Sequence, residues 1–183
     1  MTTYDDPENT LIIDTTKGRV VIALRPDLAP QHVERIKKLA REGFYDGIAF
    51  HRVIEGFMAQ TGCPKGTGTG GSDHSNLAAE FNSEPHVRGV CSMARAQSPD
   101  SANSQFFICF DDATFLDGKY TAWGKVIEGM ENVDKIKRGS RQLIPTRWCQ
   151  SRSPLTWLRC DPCKSQPGSP LSLSHGKRCN GET

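Results

Sequence analysis

The sequence lacks any apolar run approaching the ~20 residues of a membrane span, so it predicts no transmembrane segment. No N-terminal segment combines a basic start with an apolar run, so we expect no secretory signal. The net charge is only +2, which by itself indicates no polyanionic partner. Three of the 7 cysteines, Cys63, Cys91 and Cys109, lie in or near apolar runs. They are typical of small buried hydrophobic residues in a reduced, cytoplasmic protein.

Charge and cysteine are distributed unevenly along the 183 residues. Residues 1–138 carry 16 Lys and Arg against 19 Asp and Glu, a net charge of −3, whereas residues 139–183 carry +5 and the other four cysteines. This contrast predicts one folded domain over residues 1–138. It also predicts a basic tail rich in Cys, Pro and Ser over residues 139–183, which we expect to be disordered.

Short apolar runs separated by turn residues cover most of the first 138 residues. They predict seven strands, near residues 11–13, 19–24, 50–54, 57–60, 90–94, 105–110 and 121–127. A helix is expected to begin near Pro30 and to end before Gly43, with Val33, Ile36 and Ala40 on its apolar face. A second, shorter helix is expected over residues 130–137. This pattern favours an all-β sandwich or barrel with two helices.

The stretch from Phe50 to Gly71, FHRVIEGFMAQTGCPKGTGTGG, places polar side chains among apolar ones. Arg52 and Gln60 lie close to Phe57 and Met58. A buried cation is costly unless it has a partner. Arg52 therefore either ends a strand with its guanidinium in solvent or lies at the rim of an apolar pocket. The glycines that follow favour a loop, and phosphate binding is disfavoured because no Gly-Lys-Ser/Thr follows them.

Three blocks of sequence resemble the cyclophilins, a family of peptidyl-prolyl cis-trans isomerases. The first is the FHRVIEGFMAQTG segment beginning at Phe50. The others are GVCSMARA with NSQFFI (89–96 and 103–108), and FLDGK with WGKVIEGM (115–119 and 123–130). The blocks stand in family order and cover roughly residues 11–138.

The resemblance implies a closed eight-stranded antiparallel barrel with a helix at each end, whose last strand follows the second helix. After Arg138 the sequence does not resemble that last strand. In the tail, only residues 155–158 have the pattern of a strand, and that stretch is short. We therefore expect the closing strand to be absent or replaced by the atypical tail. The abrupt change in composition also suggests the hypothesis that the tail is read from a shifted frame.

The resemblance also implies an activity, acceleration of rotation about X–Pro bonds in support of protein folding, and roles for particular residues. Arg52 would engage the prolyl nitrogen, and Gln60 would bind the substrate backbone. The remaining residues expected to bind substrate are Phe57, Met58, Ala96, Gln105, Phe107, Phe115, Leu116 and Tyr120. No metal or cofactor is expected, because this chemistry needs neither.

Three residues depart from the pattern that many eukaryotic members carry. Phe115 stands where they have Trp, Tyr120 where they have His, and Arg95 where they often have Asn, and the first two resemble bacterial members. Phe has no N–H to donate. We therefore expect weak cyclosporin binding.

Other interpretations stay open at this point. The fold could serve as a proline-peptide binding or chaperone module without turnover, or the chain could be a destabilised product lacking its last strand. In the tail, Cys160 and Cys163 form a metal-type pair, but with Cys149, His175 and Cys179 they match no common zinc pattern. We expect a monomer whose partners are proline-containing peptides and unfolded or folding proteins, with no membrane and no specific nucleic acid.

Overall fold

The computed structural model describes residues 6–142 and 147–148. Its strands are β1 (Thr10–Thr15), β2 (Gly18–Leu24), β3 (Arg52–Ile54), β4 (Met58–Thr61), β5 (Val90–Met93), β6 (Phe106–Cys109), β7 (Ala122–Glu128) and β8 (Arg147–Trp148). The helices are α1 (Pro30–Arg41) and α2 (Met130–Val133). The prediction of a mainly β fold with seven strands and two helices before residue 139 is confirmed.

The strands form one antiparallel sheet that curls, in the order β3-β4-β6-β5-β7-β2-β1-β8. The β1–β2 hairpin turns at Thr16 and Lys17, where Thr15 pairs with Gly18. Irregularities between Val21 and Ile22 and between Cys91 and Ser92 shift the register with β7. Such bulges bend the strands that carry them.

The main core lies between the concave side of this sheet and α1. The helix buries His32, Val33, Ile36, Leu39 and Ala40, a stripe at the i, i+3, i+4 spacing that its sequence predicts. Against them pack large side chains from the sheet, among them the fully buried Trp123 and Phe106. A second, smaller apolar cluster contains Met58, Phe107, Cys109, Ala113 and Leu116.

Helix α2 is shorter than predicted. It ends at Val133, and the chain continues in a tighter turn in which the Ile136 N–H donates to the Val133 carbonyl at 2.9 Å. Three-residue turns of this kind are common where a short helix ends. Val133 and Ile136 are nevertheless buried.

Residues after Arg138 also pair with the sheet. The segment 139–142 exchanges backbone hydrogen bonds with residues 47–50, and Thr16 N–H donates to the Arg141 carbonyl at 3.0 Å. Strand β8 pairs with β1, with Leu11 opposite Trp148 and Ile12 opposite Arg147. The start of the tail therefore lies along β1. The disorder expected for the rest of the tail, the candidate strand at 155–158 and the cysteines from Cys149 onward lie outside the described residues.

Candidate active site

A row of three polar side chains crosses adjacent strands. Arg52 and Gln60 are directly opposite each other in the β3–β4 pair, and the Arg52 guanidinium donates to Gln60 Oε1 at 3.4 Å. Gln60 Nε2 in turn donates to Gln105 Oε1 at 2.9 Å. Because each amide uses its oxygen for one neighbour and its nitrogen for the next, the row has a fixed orientation.

The Gln105 amide is anchored by the glycine-rich loop. Its nitrogen donates to the carbonyls of Gly68 and Gly70 at 2.8 and 2.7 Å. Gly62 has φ +86°, and a Cβ there would lie 2.8 Å from the Cα of Gln105. Glycine is therefore required at this position for the loop to approach the start of β6.

The same loop wraps around Cys63. Its Sγ accepts hydrogen bonds from the N–H groups of Gly68 and Gly70 at 3.2 and 3.3 Å. Burial raises the pKa of this thiol, but the surrounding backbone N–H groups bring the pKa below its ordinary value. Cys91 and Cys109, in contrast, are enclosed by apolar groups, and burial raises the pKa of Cys109 to about 12. The sequence-based view of all three as hydrophobic fillers thus fits Cys91 and Cys109 better than Cys63.

An apolar cavity of about 290 Å³ opens next to the polar row. Its floor is Met58 and Phe107, both nearly fully buried, and one wall is Leu116. Phe57 and Phe115 contact each other with ring centroids 5.4 Å apart at the rim. Arg52 and Gln60 line the same cavity. Arg52 is exposed at the start of β3 and also lines this cavity, so the structure combines features of both alternatives.

Tyr120 and Arg95 close the far end of this cavity. The Tyr120 ring meets Phe107 edge-on at 5.8 Å, and the Arg95 guanidinium lies 4.8 Å from the centre of the Tyr120 ring. Arg95 also donates to the Lys119 carbonyl at 3.2 and 3.1 Å. The cation is thus fixed over an aromatic face, an arrangement that stabilises both side chains.

A polar groove of about 530 Å³ adjoins the cavity on the Gln105 side. Ala96 lines it together with Gln60, Gln105 and residues of the glycine-rich loop. All ten residues that the sequence analysis names therefore lie around two adjoining cavities, and Gln60 lines both. Phe106, which alternates with Phe107, belongs to the main core.

Behind the apolar cavity lies a buried network that the sequence analysis missed. His86 Nδ1 lies 2.8 Å from Asp117 Oδ1, and His86 Nε2 lies 3.1 Å from the Ser92 hydroxyl. The His86 ring stacks on Phe107 at 6.4 Å. The backbone N–H and the ring of His86 both hold the pKa of Asp117 below its usual value. The network fixes the turn carrying Leu116. No local signal reveals it, because Asp117 follows His86 by 31 positions.

Neither a metal site nor a membrane span is found within residues 6–142. No group of three His, Cys, Asp or Glu side chains in that range is placed to hold a metal ion. No helix there is long and apolar enough to cross a bilayer.

Comparison with known proteins decides the family. The model of the cyclophilin type peptidyl-prolyl cis-trans isomerase family matches residues 10–153. The chain is a member of the cyclophilin family. The match continues past Arg138, where the resemblance recognised in the sequence ends, and includes β8.

Relatives of this cyclophilin carry the same activity in their names. A probable peptidyl-prolyl cis-trans isomerase of Brucella suis is 60% identical over 146 residues, which cover 74% of this chain and 74% of that protein. A peptidyl-prolyl cis-trans isomerase of Helicobacter pylori is 47% identical, covering 75% of this chain and 90% of that protein. This cyclophilin is accordingly a peptidyl-prolyl cis-trans isomerase, as the sequence predicts.

Solved structures agree with the fold. The cyclophilin AquaCyp293 from Hirschia baltica superposes with a TM-score of 0.73 at 32% identity, covering 81% of this chain and 77% of that one. A Cryptosporidium parvum cyclophilin type isomerase, crystallised in the presence of the dipeptide ala-pro, superposes with a TM-score of 0.66 at 28% identity. It covers 73% of this chain and 98% of that one.

Proposed function

We propose that this cyclophilin binds exposed X–Pro segments of unfolded or folding proteins with the proline ring in the apolar cavity. The cavity has a volume of about 290 Å³, and Met58, Phe107 and Leu116 bound it. The residues before the proline occupy the groove of Ala96 and Gln105. The ala-pro dipeptide present with the Cryptosporidium relative supports a proline-containing ligand of this kind.

Arg52 is the catalytic group in this proposal. The barrier to rotation, ~20 kcal/mol, arises from the partial double bond between carbon and nitrogen. A donor directed at the prolyl nitrogen engages its lone pair, weakens that double bond and favours the twisted amide over both planar forms. Arg52 is suited to this role because its guanidinium stays protonated and lies at the cavity rim.

Gln60 holds the substrate while the bond rotates. Its amide is fixed between Arg52 and Gln105, so its orientation is set before substrate arrives. Such preorganisation means that little reorganisation is needed during the reaction. His51 takes no part as a base in this proposal, since it does not line the apolar cavity.

The observation that carries the proposal is the polar row beside a buried apolar floor, and an exchange experiment tests it. The rate of cis–trans exchange of a short X–Pro peptide is measured by NMR with wild type, Arg52→Ala and Arg52→Lys. We expect Arg52→Ala to lower kcat/KM by about 100-fold or more, since removing one preorganised donor has an effect of that order. Arg52→Lys should recover only part of it, because a lysine lacks the planar fork.

The same experiment separates the alternative functions. A folded wild type that binds the peptide without accelerating exchange would favour a binding module without turnover. An Arg52→Ala variant as active as wild type would contradict the role given to Arg52. Circular dichroism of each sample separates either result from loss of folding, which the destabilised-product interpretation predicts for the wild type itself.

We also propose that the sheet closes into an eight-stranded barrel through residues 139–142 and β8. Segment 139–142 has hydrogen bonds to residues 47–50 on one side and to Thr16 on the other, and these support the proposal. Closure would leave β3 and β8, the two outermost strands of the sheet, without open edges, which are sites of aggregation.

We propose further that the protein is a cytoplasmic monomer that binds cyclosporin weakly. The free thiols of Cys63, Cys91 and Cys109 support a reducing compartment. Phe115, which is 61% exposed at the cavity rim and offers no N–H, supports weak cyclosporin binding. Fractionation of cells and sedimentation of the purified protein test the location and the monomer state.

A further inference from the structure

A third cavity lies on the other side of Arg52 from Phe107. We call it the Arg138 groove; it has a volume of about 580 Å³ and is lined by His51, Arg52, Gln60, Thr67, Thr69 and Arg138, among others. It shares Arg52 and Gln60 with the apolar cavity. Strand β3, which carries Arg52, is separated from β6, which carries Phe107, by β4. A peptide that passes Arg52 can therefore continue from one cavity into the other.

Arg138 is held in this position by the chain that follows it. The Gly139 N–H donates to the Phe50 carbonyl at 2.9 Å, and the Phe50 N–H donates to the Ser140 carbonyl at 2.8 Å. These bonds place Arg138 beside His51 and Arg52. Burial lowers the pKa of His51, the Ala49 carbonyl opposes that effect, and the charges of Arg52 and Arg138 lower the pKa further. The guanidinium groups of Arg52 and Arg138 thus both lie near His51 in the groove.

Arg138 also borders a neighbouring cavity that Glu55, Asp111 and Asp134 line, but none of these carboxylates forms an ion pair with it. No carboxylate lines the groove. Asp134, the acidic residue closest in sequence to Arg138, forms its ion pair with Arg88 at 2.7 Å instead. Within residues 6–142, neither Arg52 nor Arg138 has a carboxylate within 4.0 Å. The groove therefore presents two guanidinium groups and two threonine hydroxyls without an internal anion.

We infer that the Arg138 groove is a specificity subsite for an acidic side chain of the substrate, located within the first few residues after the proline. The inference rests on the proposed placement of the proline and of the residues before it. With those residues in the Gln105 groove, the Arg138 groove is the cavity next to Arg52 left for the residues that follow. Guanidinium groups bind carboxylates through paired N–H donors. Arg52 engages the prolyl nitrogen, so Arg138 carries the preference.

Two pairs of peptides test the subsite by NMR exchange. One pair carries Glu or Gln two positions after the proline, and the other carries Glu or Gln two positions before it. For wild type we expect kcat/KM to be about fivefold higher with Glu than with Gln after the proline, the size of a partly exposed ion pair. The difference should lie mainly in KM and should decrease at high salt. Glu before the proline should give no comparable gain.

Two variants assign the preference to Arg138. Arg138→Gln should bring the ratio between the Glu and Gln peptides close to one. Lys135→Gln removes the same charge three positions earlier, on an exposed side chain that does not line the groove. It should keep the ratio of wild type. Thermal melting of each variant reports whether folding is retained, and the ratio within one variant is independent of its folded fraction.

The experiment distinguishes failure of the subsite from failure of the proposed function. An equal ratio in wild type and Arg138→Gln, or a preference for Glu before the proline, would overturn the subsite while leaving the proposed function intact. No turnover of either peptide by a folded wild type would overturn the proposed function. Equilibrium binding of the same peptides to wild type and Arg138→Gln would then test the groove alone.

Discussion

At the scale of single residues, the site depends on the directions in which a few side chains donate hydrogen bonds. The Gln60 amide connects Arg52 to Gln105, and Gln105 is held by two carbonyls of the glycine-rich loop. A side chain fixed at both ends loses little further freedom when substrate binds. The many glycines after Gly62 thus contribute to the site indirectly, by letting the loop approach Gln105.

A prediction at this scale concerns Phe115. Replacing it with Trp adds an indole N–H at the exposed rim of the cavity, and we expect cyclosporin to bind about threefold to tenfold more tightly, the effect of one added hydrogen bond. Titration calorimetry measures the affinity. Phe81→Trp is the matched control, because Phe81 is 44% exposed and does not line the described cavities of the site. Equal affinities for wild type and Phe115→Trp would contradict the role given to Phe115.

At the scale of elements, helix α1 receives its N-terminal cap from a distant loop. Its own N-cap, Ala29, has no side chain able to accept a hydrogen bond. Glu80 instead accepts from the N–H of Gln31 at 3.1 Å and from the N–H of His32 at 3.0 Å. A carboxylate at a helix N-terminus satisfies free donors and interacts favourably with the helix dipole.

We therefore expect Glu80→Gln to lower the free energy of unfolding by about 1–2 kcal/mol, the range for loss of an N-cap. Urea unfolding measures the change. Glu34→Gln, on the exposed face of the same helix, is the control and should change the free energy by less than about 0.5 kcal/mol. Equal effects of the two substitutions would contradict the capping role.

The burial of His32 beside this cap makes stability depend on pH. Burial lowers the pKa of His32 below 6.5, although Glu80 at 2.6 Å from Nδ1 acts in the opposite direction. A lowered folded-state pKa means that the unfolded state binds the proton more readily. The stability contributed by neutral His32 is therefore present above pH 6.5 and is lost as the pH falls through the folded-state pKa.

Urea unfolding at several pH values between about 8 and 5 tests this dependence. We expect the free energy of unfolding of wild type to decline below pH 6.5. A His32→Gln variant should show a weaker decline, even if its stability is lower throughout. Identical pH dependence in the two proteins would show that His32 is not responsible.

At the scale of the whole molecule, the segment after Arg138 pairs with residues 47–50 on one side and with Thr16 on the other. Gln142 is 1% exposed and donates to the Thr61 hydroxyl at 3.0 Å, and its backbone bonds to Ile48 and Gly47. If the barrel closes through this segment, breaking its pairing destabilises the whole fold and not only one edge of the sheet. Unfolding of a variant with weaker pairing should then remain a single cooperative transition.

We expect Gln142→Ala to lower the free energy of unfolding by about 1–3 kcal/mol, because it leaves the buried Thr61 hydroxyl with fewer partners. Chemical denaturation provides the value, and hydrogen exchange of residues 47–50 reports the local pairing. Lys137→Ala, exposed in the preceding turn, is the control. Wild-type stability and unchanged exchange in Gln142→Ala would contradict closure through this segment.

The amino-acid sequence alone predicts the seven strands before residue 139, α1, the resemblance to the cyclophilins and ten residues that lie around the two cavities. These follow from local alternation, from turn residues and from motifs such as FHR and FMAQ, which lie within short stretches of chain. It did not reveal the Glu80 cap, the His86–Asp117 contact or the position of Arg138. Each depends on hydrogen bonds or packing between residues that are far apart in the chain. Local sequence periodicity does not predict such contacts.

The tertiary structure also decided the position of the start of the tail. Its composition favoured disorder, yet residues 139–142 and 147–148 pair with the sheet. Backbone N–H and C=O groups at a strand edge bond to whatever chain lies beside them, largely independently of side chains. The position of this segment beside β1 therefore determines its conformation more strongly than its amino-acid composition does.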